Sequence, residues 1–173
     1  ESNGGAGPRA TPTIHAGRVY AFGATGILNA LNARTGALRW SRQVTADTQR
    51  TVPTWGFASS LLVVDDVVIV AAAGTLAGYD RMTGAHRWTG PSYGGSYSSP
   101  HHLTVDGVEQ VVLLGGPGAI SVAPADGTVL WIHEWEPGPM VQPALLADGD
   151  ILISAMASAS GMATRRLGVT RAG

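Results

Sequence analysis

Few residues in this chain of 173 are of types that do chemistry, and their spacing decides what they can do. His101 and His102 are adjacent, and adjacent side chains on a strand point to opposite faces, so the pair is poorly placed to chelate one ion. One is expected to point inward and the other to sit at an interface between sheets. The run His133-Glu134-Trp135-Glu136 alternates on what reads as an exposed strand end, where solvated charge accounts for it. Asp148-Gly149-Asp150 lacks the remaining ligands of a calcium loop and reads as a turn. The serines of 92–99 have no acid–base pair nearby, and no G-x-S-x-G elbow occurs, which argues against acyl transfer. The glycines at 115–118 join two strand-like runs with no helix after them, which argues against a dinucleotide loop. Cys is absent, so there is no thiolate nucleophile, disulfide or Cys-ligated metal. Lys is absent too, which removes a Schiff-base or P-loop lysine; the basic residues are all Arg. A net charge of -1 and a single Arg165-Arg166 pair offer nucleic acid no patch.

The elements that hold these residues are set by a repeat. LNARTGALRW (31–40) returns as YDRMTGAHRW (79–88) and, more divergent, as VAPADGTVLW (122–131), with Trp-to-Trp intervals of 48 and 43 residues. Periods of this length point to propellers or solenoids. Each unit opens on a small-residue step (AlaThrPro 10–12, SerSerLeu 59–61, SerSerPro 98–100, ValGlnPro 141–143). A short strand, a tight turn at Gly or an acidic pair, and a second strand follow. A third strand then enters ThrGly or AspGly, and a fourth ends on Trp. Four short strands per repeat predict an all-β chain of propeller blades with minimal helix. Blades are expected at about 10–57, 58–96, 97–140 and 141–173, a partial or half propeller. In the last blade residues 162–169 fit a third strand, but no ThrGly and no Trp follow. The longest apolar stretch, 61–74, is split by Asp65 and Asp66 and is too short for a membrane-spanning helix. No signal peptide is visible; Glu1 reads as a processed or truncated start, and residues 1–9 as an arm or loop.

In the repeated turn, Asn32 and Asp80 are expected to accept hydrogen bonds from turn amides. Gly36, Gly84 and Gly127 supply a backbone conformation that side chains disfavour and leave room for an indole. Trp40, Trp88 and Trp131 are the expected docked rings, each contributing roughly 2–3 kcal/mol by burial. The longer connections, 41–57 and 89–97, are where contacts with other molecules are expected. Candidate groups there and at the starts of the first strands are Arg50, Trp55, Tyr93, Tyr97, Ser98, Ser99, His101 and His102. Arg50, Trp55, Tyr93, Tyr97 and His101 are the interaction candidates among them. Tyr93 reads as a contact residue, Tyr97 as a ring packed at the axis that holds neighbouring blades together, and Trp55 as an anchor if half-exposed and core if buried.

The A-x-D-x-x-T-G-x-x-x-W pattern, in three copies covering about Thr11 to Val169, resembles the tryptophan-docking motif of the PQQ-like β-propeller repeat superfamily. That group includes quinone-dependent dehydrogenases and BamB-like assembly factors of bacteria. Here Gly78 and Ser121 replace the first Ala, Ala123 replaces the Asp, and the fourth repeat lacks Trp. The resemblance implies rings of seven or eight blades, so four repeats imply a segment of a larger protein, a half that pairs with a second copy, or a module capped by a partner. It also implies an extracytoplasmic, periplasmic location. A quinone enzyme needs PQQ, Ca²⁺ with carboxylate and amide ligands, and an Asp base. The candidates above include no such set, so no catalytic, cofactor or metal residue is assigned. The expected function is a non-catalytic scaffold that binds protein, within a membrane-associated complex or against further blades; the alternative is a PQQ-dependent alcohol or sugar dehydrogenase or a fragment of one.

Overall fold

The computed structural model describes residues 9–135, 143–146, 149–157 and 161–170. Within them the chain forms four antiparallel sheets in succession. Blade 1 holds β1 (Thr13–His15), β2 (Arg18–Phe22), β3 (Ile27–Asn32) and β4 (Leu38–Gln43). A single-turn helix, α1 (Val44–Thr48), then leads toward blade 2: β5 (Leu62–Val64), β6 (Val67–Ala72), β7 (Thr75–Asp80) and β8 (His86–Ser92). Blade 3 holds β9 (His101–Val105), β10 (Val108–Gly115), β11 (Gly118–Val122) and β12 (Val129–Glu134). Blade 4 has three strands among the described residues, β13 (Ala144–Leu145), β14 (Ile151–Ala157) and β15 (Gly161–Leu167). The architecture is the propeller-blade array expected, and its sheets do not close into a ring.

Each blade pairs its strands in chain order because short hairpin turns connect them. Ala16-Gly17 and Asp106-Gly107 both carry positive φ at their two central residues (45° and 75°; 49° and 77°). That geometry matches the right-handed strand twist and favours a two-residue hairpin.

Three apolar seams hold the blades together. Tyr20, Leu28, Ala30 and Trp40 of blade 1 meet Val68, Val70, Ala77 and Tyr79 of blade 2. The opposite face of blade 2, with Val67, Ile69, Ala71 and Trp88, meets Val111, Leu113, Ile120 and Val122 of blade 3. Leu103, Val105, Val112 and Leu114 then meet Ile151 and Ile153 of blade 4. Strand β6 is buried along its whole length because alternate side chains enter different seams. This explains why ValValIleValAlaAla reads as an unbroken apolar run, the pattern of a strand covered on both faces.

Hydroxyl groups join the blades along their first strands. The Thr11 amide donates to Ser60 Oγ (3.0 Å), the Thr13 hydroxyl to the Leu61 carbonyl (2.7 Å), and the Ser60 amide to Ser99 Oγ (2.8 Å). The small Ser and Thr residues that open each repeat thus satisfy backbone groups of the neighbouring blade.

Candidate functional site

The repeated turns behave as docking seats. Asn32 Oδ1 accepts from the Arg34 and Thr35 amides (3.1 and 2.9 Å) and the Thr35 hydroxyl. Asp80 Oδ1 repeats the pattern with Met82 and Thr83 (2.9 and 2.8 Å). In blade 3 Ala123 has no such side chain. There the Gly127 amide still donates to the Ala123 carbonyl (3.0 Å), and Asp126 accepts from Thr128 (2.9 Å), so the turn survives the departure. Gly36, Gly84 and Gly127 have φ of 70°, 71° and 73°.

Each docked indole crosses to the next blade. A Cβ built on Gly84 would stand 2.6 Å from Cδ2 of Trp40, and one on Gly127 would stand 2.6 Å from Cε3 of Trp88. Only glycine permits that approach. The Trp40 N–H donates to the Arg81 carbonyl and the Trp88 N–H to the Pro124 carbonyl, both at 3.2 Å. Tyr20 Oη and Arg18 Nη1 also reach the Arg81 carbonyl. Gly78 takes the place of Ala30 because Trp88 lies against it: a Cβ there would meet Cε2 at 2.3 Å.

Trp131 departs from the expected arrangement. Its N–H donates to Gln110 Oε1 of its own blade (2.7 Å), and the ring is only half-buried. It lines two clefts of about 290 and 340 Å³ whose other walls include Leu167, Val169 and Thr170 of blade 4. Among the described residues no positive-φ glycine stands beside the ring.

The connections gather at one end of the blades. The Phe57, Tyr93 and Trp135 amides donate to carbonyls of the β2–β3, β6–β7 and β10–β11 turns (Ala24, Gly74 and Pro117, 2.8–2.9 Å), and all three rings are buried in the successive seams. Tyr93 is therefore a seam plug and not a contact residue. This aromatic repeat is hidden in the sequence because its members lie 17, 5 and 4 residues after Trp40, Trp88 and Trp131. Arg50 donates to the Ala73 carbonyl (3.2 Å), tying the first connection to the β6–β7 turn of blade 2.

Trp55 is 56% exposed. It sits in a turn closed by the Gly56 amide on the Pro53 carbonyl (2.8 Å), with Gly56 pressed against Ala24 and Arg9. A large ring is thus held outward by an anchored loop. Tyr97 and Val52 are also exposed, whereas Ser98 and Ser99 are buried.

His101 and His102 are half-buried. Burial pushes the His101 imidazole below its usual range. His102 Nε2 lies 3.5 Å from Glu109, which stands two positions from its ladder partner Val111 on β10. His133 and Glu134 end β12 as expected, but the next residue, Trp135, is buried beneath the Arg165 guanidinium, 4.6 Å from the ring centroid. Asp148, read as a turn residue, and Glu136 lie outside the described residues.

The strongest electrostatic cluster is structural. Arg87 bridges Asp66 (2.6 Å) and Asp80, and its guanidinium with the Thr83 amide holds the Asp80 carboxyl well below the usual range. Tyr79 is fully buried and donates to Asp47 of α1 (3.0 Å); burial, then the Asp47 charge, push its hydroxyl far above its usual value. Among the described residues no three His, Asp or Glu side chains come together as a metal site.

A family model described as outer membrane protein assembly factor BamB, of the PQQ-like repeat type, matches residues 2–64 and 54–168. The chain belongs to the PQQ-like repeat family of β-propellers. Among solved structures this PQQ-like chain is similar to BamB from Moraxella catarrhalis, at 25% identity and a TM-score of 0.62, covering 86% of this chain and 42% of that one. It is also similar to the quinohemoprotein alcohol dehydrogenase ADHIIG from Pseudomonas putida HK5 (19% identity, TM-score 0.64, 86% and 28%). The computationally designed Ika4 protein is similar at 15% identity and TM-score 0.63, over 94% of both chains. The last two likenesses speak for the fold alone. The chain spans less than half the length of the BamB and dehydrogenase chains. No curated protein matches the sequence.

Proposed function

We propose that this PQQ-like segment is a non-catalytic scaffold that binds another protein through its connection end, in an extracytoplasmic complex associated with the bacterial envelope. The observation that carries it is Trp55, a ring more than half exposed on a loop anchored at Ala24 and, through Arg50, at Ala73. Exposed aromatics on rigid loops are the usual anchors of protein interfaces, since they bring large area at little cost in rotamer entropy. Tyr97 and Val52 extend the same character. The family match to an outer-membrane assembly factor supports the envelope location and a partner in a membrane complex. Among the described residues no helix is long and apolar enough to cross a membrane.

The test compares the chain with Trp55→Ala in native co-purification followed by quantitative mass spectrometry. A partner retained by the parent chain should fall about 30-fold or more, as for a central aromatic anchor, with the thermal midpoint unchanged. Equal retention contradicts the reading. So does quinone-dependent dye reduction after incubation with PQQ and Ca²⁺.

A further inference from the structure

The outer strands of blades 1 to 3 hold the same place in the fold and carry different side chains. Each is the outermost of its sheet and is paired on one side only among the described residues, so it presents backbone N–H and C=O groups to the perimeter. Each also has one extra residue at a bulge just before its Trp: Arg39 in β4, Arg87 in β8 and Leu130 in β12. The residue after the Trp is Ser41, Thr89 and Ile132 in turn. Blades 1 and 2 thus guard their edges with guanidinium and hydroxyl groups, and β8 adds Pro91, which cannot donate to a further strand. From Val129 to Ile132, β12 has neither charge nor proline. Leu130 is 39% exposed and Ile132 51%.

This exposure does not come from an incomplete neighbour. Arg39 and Ser41 are exposed beside blade 2, and Arg87 and Thr89 beside blade 3, although those two blades are described with all four strands. The positions face solvent whatever packs next in the array. Beyond the bulge, Trp131–Glu134 runs in regular register against Gly118–Ser121, which leaves four residues of even edge. Both clefts that Trp131 lines touch this strand, one at Leu130 and the other at Ile132. Charge brackets the run, since Asp126 precedes it and Glu134 closes it, both exposed. A second copy laid antiparallel so that Leu130 meets Ile132 would bring Glu134 of each chain within two positions of Asp126 of the other, a like-charge contact. A segment with a basic residue there meets opposite charge.

We propose that the outer edge of β12 is a strand-addition site for an extended segment of another polypeptide, apolar at alternate positions and basic at its ends, which joins blade 3 as a fifth strand along Trp131–Glu134. The backbone groups of β12 supply the affinity, and Leu130 and Ile132, with the clefts beside them, select apolar side chains. The surface lies on a different element from the Trp55 loop, so it goes beyond the scaffold reading and stands or falls without it.

The probe is a fluorescein-labelled peptide, KVTVTVK, titrated with the full chain and read by anisotropy. Saturable binding is expected. Leu130→Arg and Ile132→Thr place at this edge the residue types that blade 2 carries there as Arg87 and Thr89, and both positions are exposed, so the fold is expected to tolerate them. Each should weaken the peptide by about tenfold or more. The same peptide N-methylated at its central Val and at the Thr before it cannot pair along either edge and should lose binding to a similar degree. Absence of saturable binding by the parent chain overturns the proposal. So does equal binding of the two variants, or of the N-methylated peptide, which would show apolar adhesion without strand pairing. A dimer of the chain alone in sedimentation equilibrium that Leu130→Arg dissolves would assign the edge to a second copy and overturn it as well.

Discussion

Trp88 and Trp131 hold equivalent positions in β8 and β12 of neighbouring blades and meet opposite fates. Trp88 crosses to blade 3, covers Gly127 and bonds the Pro124 carbonyl. Trp131 turns back to Gln110 in its own sheet and stays half-buried beside two clefts. The strands share little beyond the Trp itself (HRWTGPS and VLWIHE), and the turns opposite them differ: Gly127 with its positive φ faces Trp88, and no such glycine is described after β15. Where an indole of this array is docked on the next blade, a positive-φ glycine stands opposite it, so the stability of one blade is written partly in the sequence of the next.

The largest effect separating the two should come from deleting the rings. Trp88→Ala is expected to lose about 3–5 kcal/mol, the cost of a large buried aromatic with its cavity. Trp131→Ala should lose only about 1–2 kcal/mol, for one hydrogen bond and partial burial. Denaturant unfolding of both variants checks the contrast, and similar losses would remove it.

Next come the seats. Ala at Gly36 meets open space and should cost only the strain of a positive φ, about 1 kcal/mol. Ala at Gly84 or Gly127 must also displace an indole, which adds roughly 1–3 kcal/mol of overpacking. Thermal melts of the three variants should rank Gly36→Ala as the mildest.

The mildest difference is in pH dependence. The Asp80 carboxyl is held below its usual value by Arg87 and the turn amides, while Asn32, its counterpart in blade 1, does not titrate. A depressed folded value means stability present above the unfolded value near 3.8 and lost as pH falls below it. Asp80→Asn should therefore flatten the acid limb of the stability profile. At the alkaline end the raised Tyr79 hydroxyl works in the opposite sense: its stabilisation is complete below about pH 10 and fades above it. Tyr79→Phe should remove that part of the alkaline loss.

The fold was legible in the sequence because its signals are local. The ThrGly and AspGly turns, the alternating strands and the repeat period all act within one blade, and the three motif copies located it. Gly78 and Ala123 looked like defects only because their compensations lie elsewhere, in the ring of Trp88 and in the carboxylate of Asp126. The contact surface was half legible. Trp55 was marked as an anchor on condition of exposure, which the anchored turn at Pro53–Gly56 satisfies. Tyr93 reads as a contact residue because its neighbours Ser92, Gly94 and Gly95 have the composition of a binding loop, yet its ring is buried. What seats it is the Gly74 carbonyl, a long-range backbone bond with no sequence signature. The Arg87 bridge and the turn of Trp131 to Gln110 were likewise invisible, since both depend on cross-strand register.

The most direct test of the seam is a double-mutant cycle on Trp88→Ala and Gly127→Ala, residues of different blades 39 positions apart in the chain. If the indole of blade 2 sits on the turn of blade 3, the penalty for Gly127→Ala should shrink by about 1 kcal/mol or more once Trp88 is Ala. Penalties that add within about 0.5 kcal/mol would show two residues that do not touch, and would contradict the inter-blade dock.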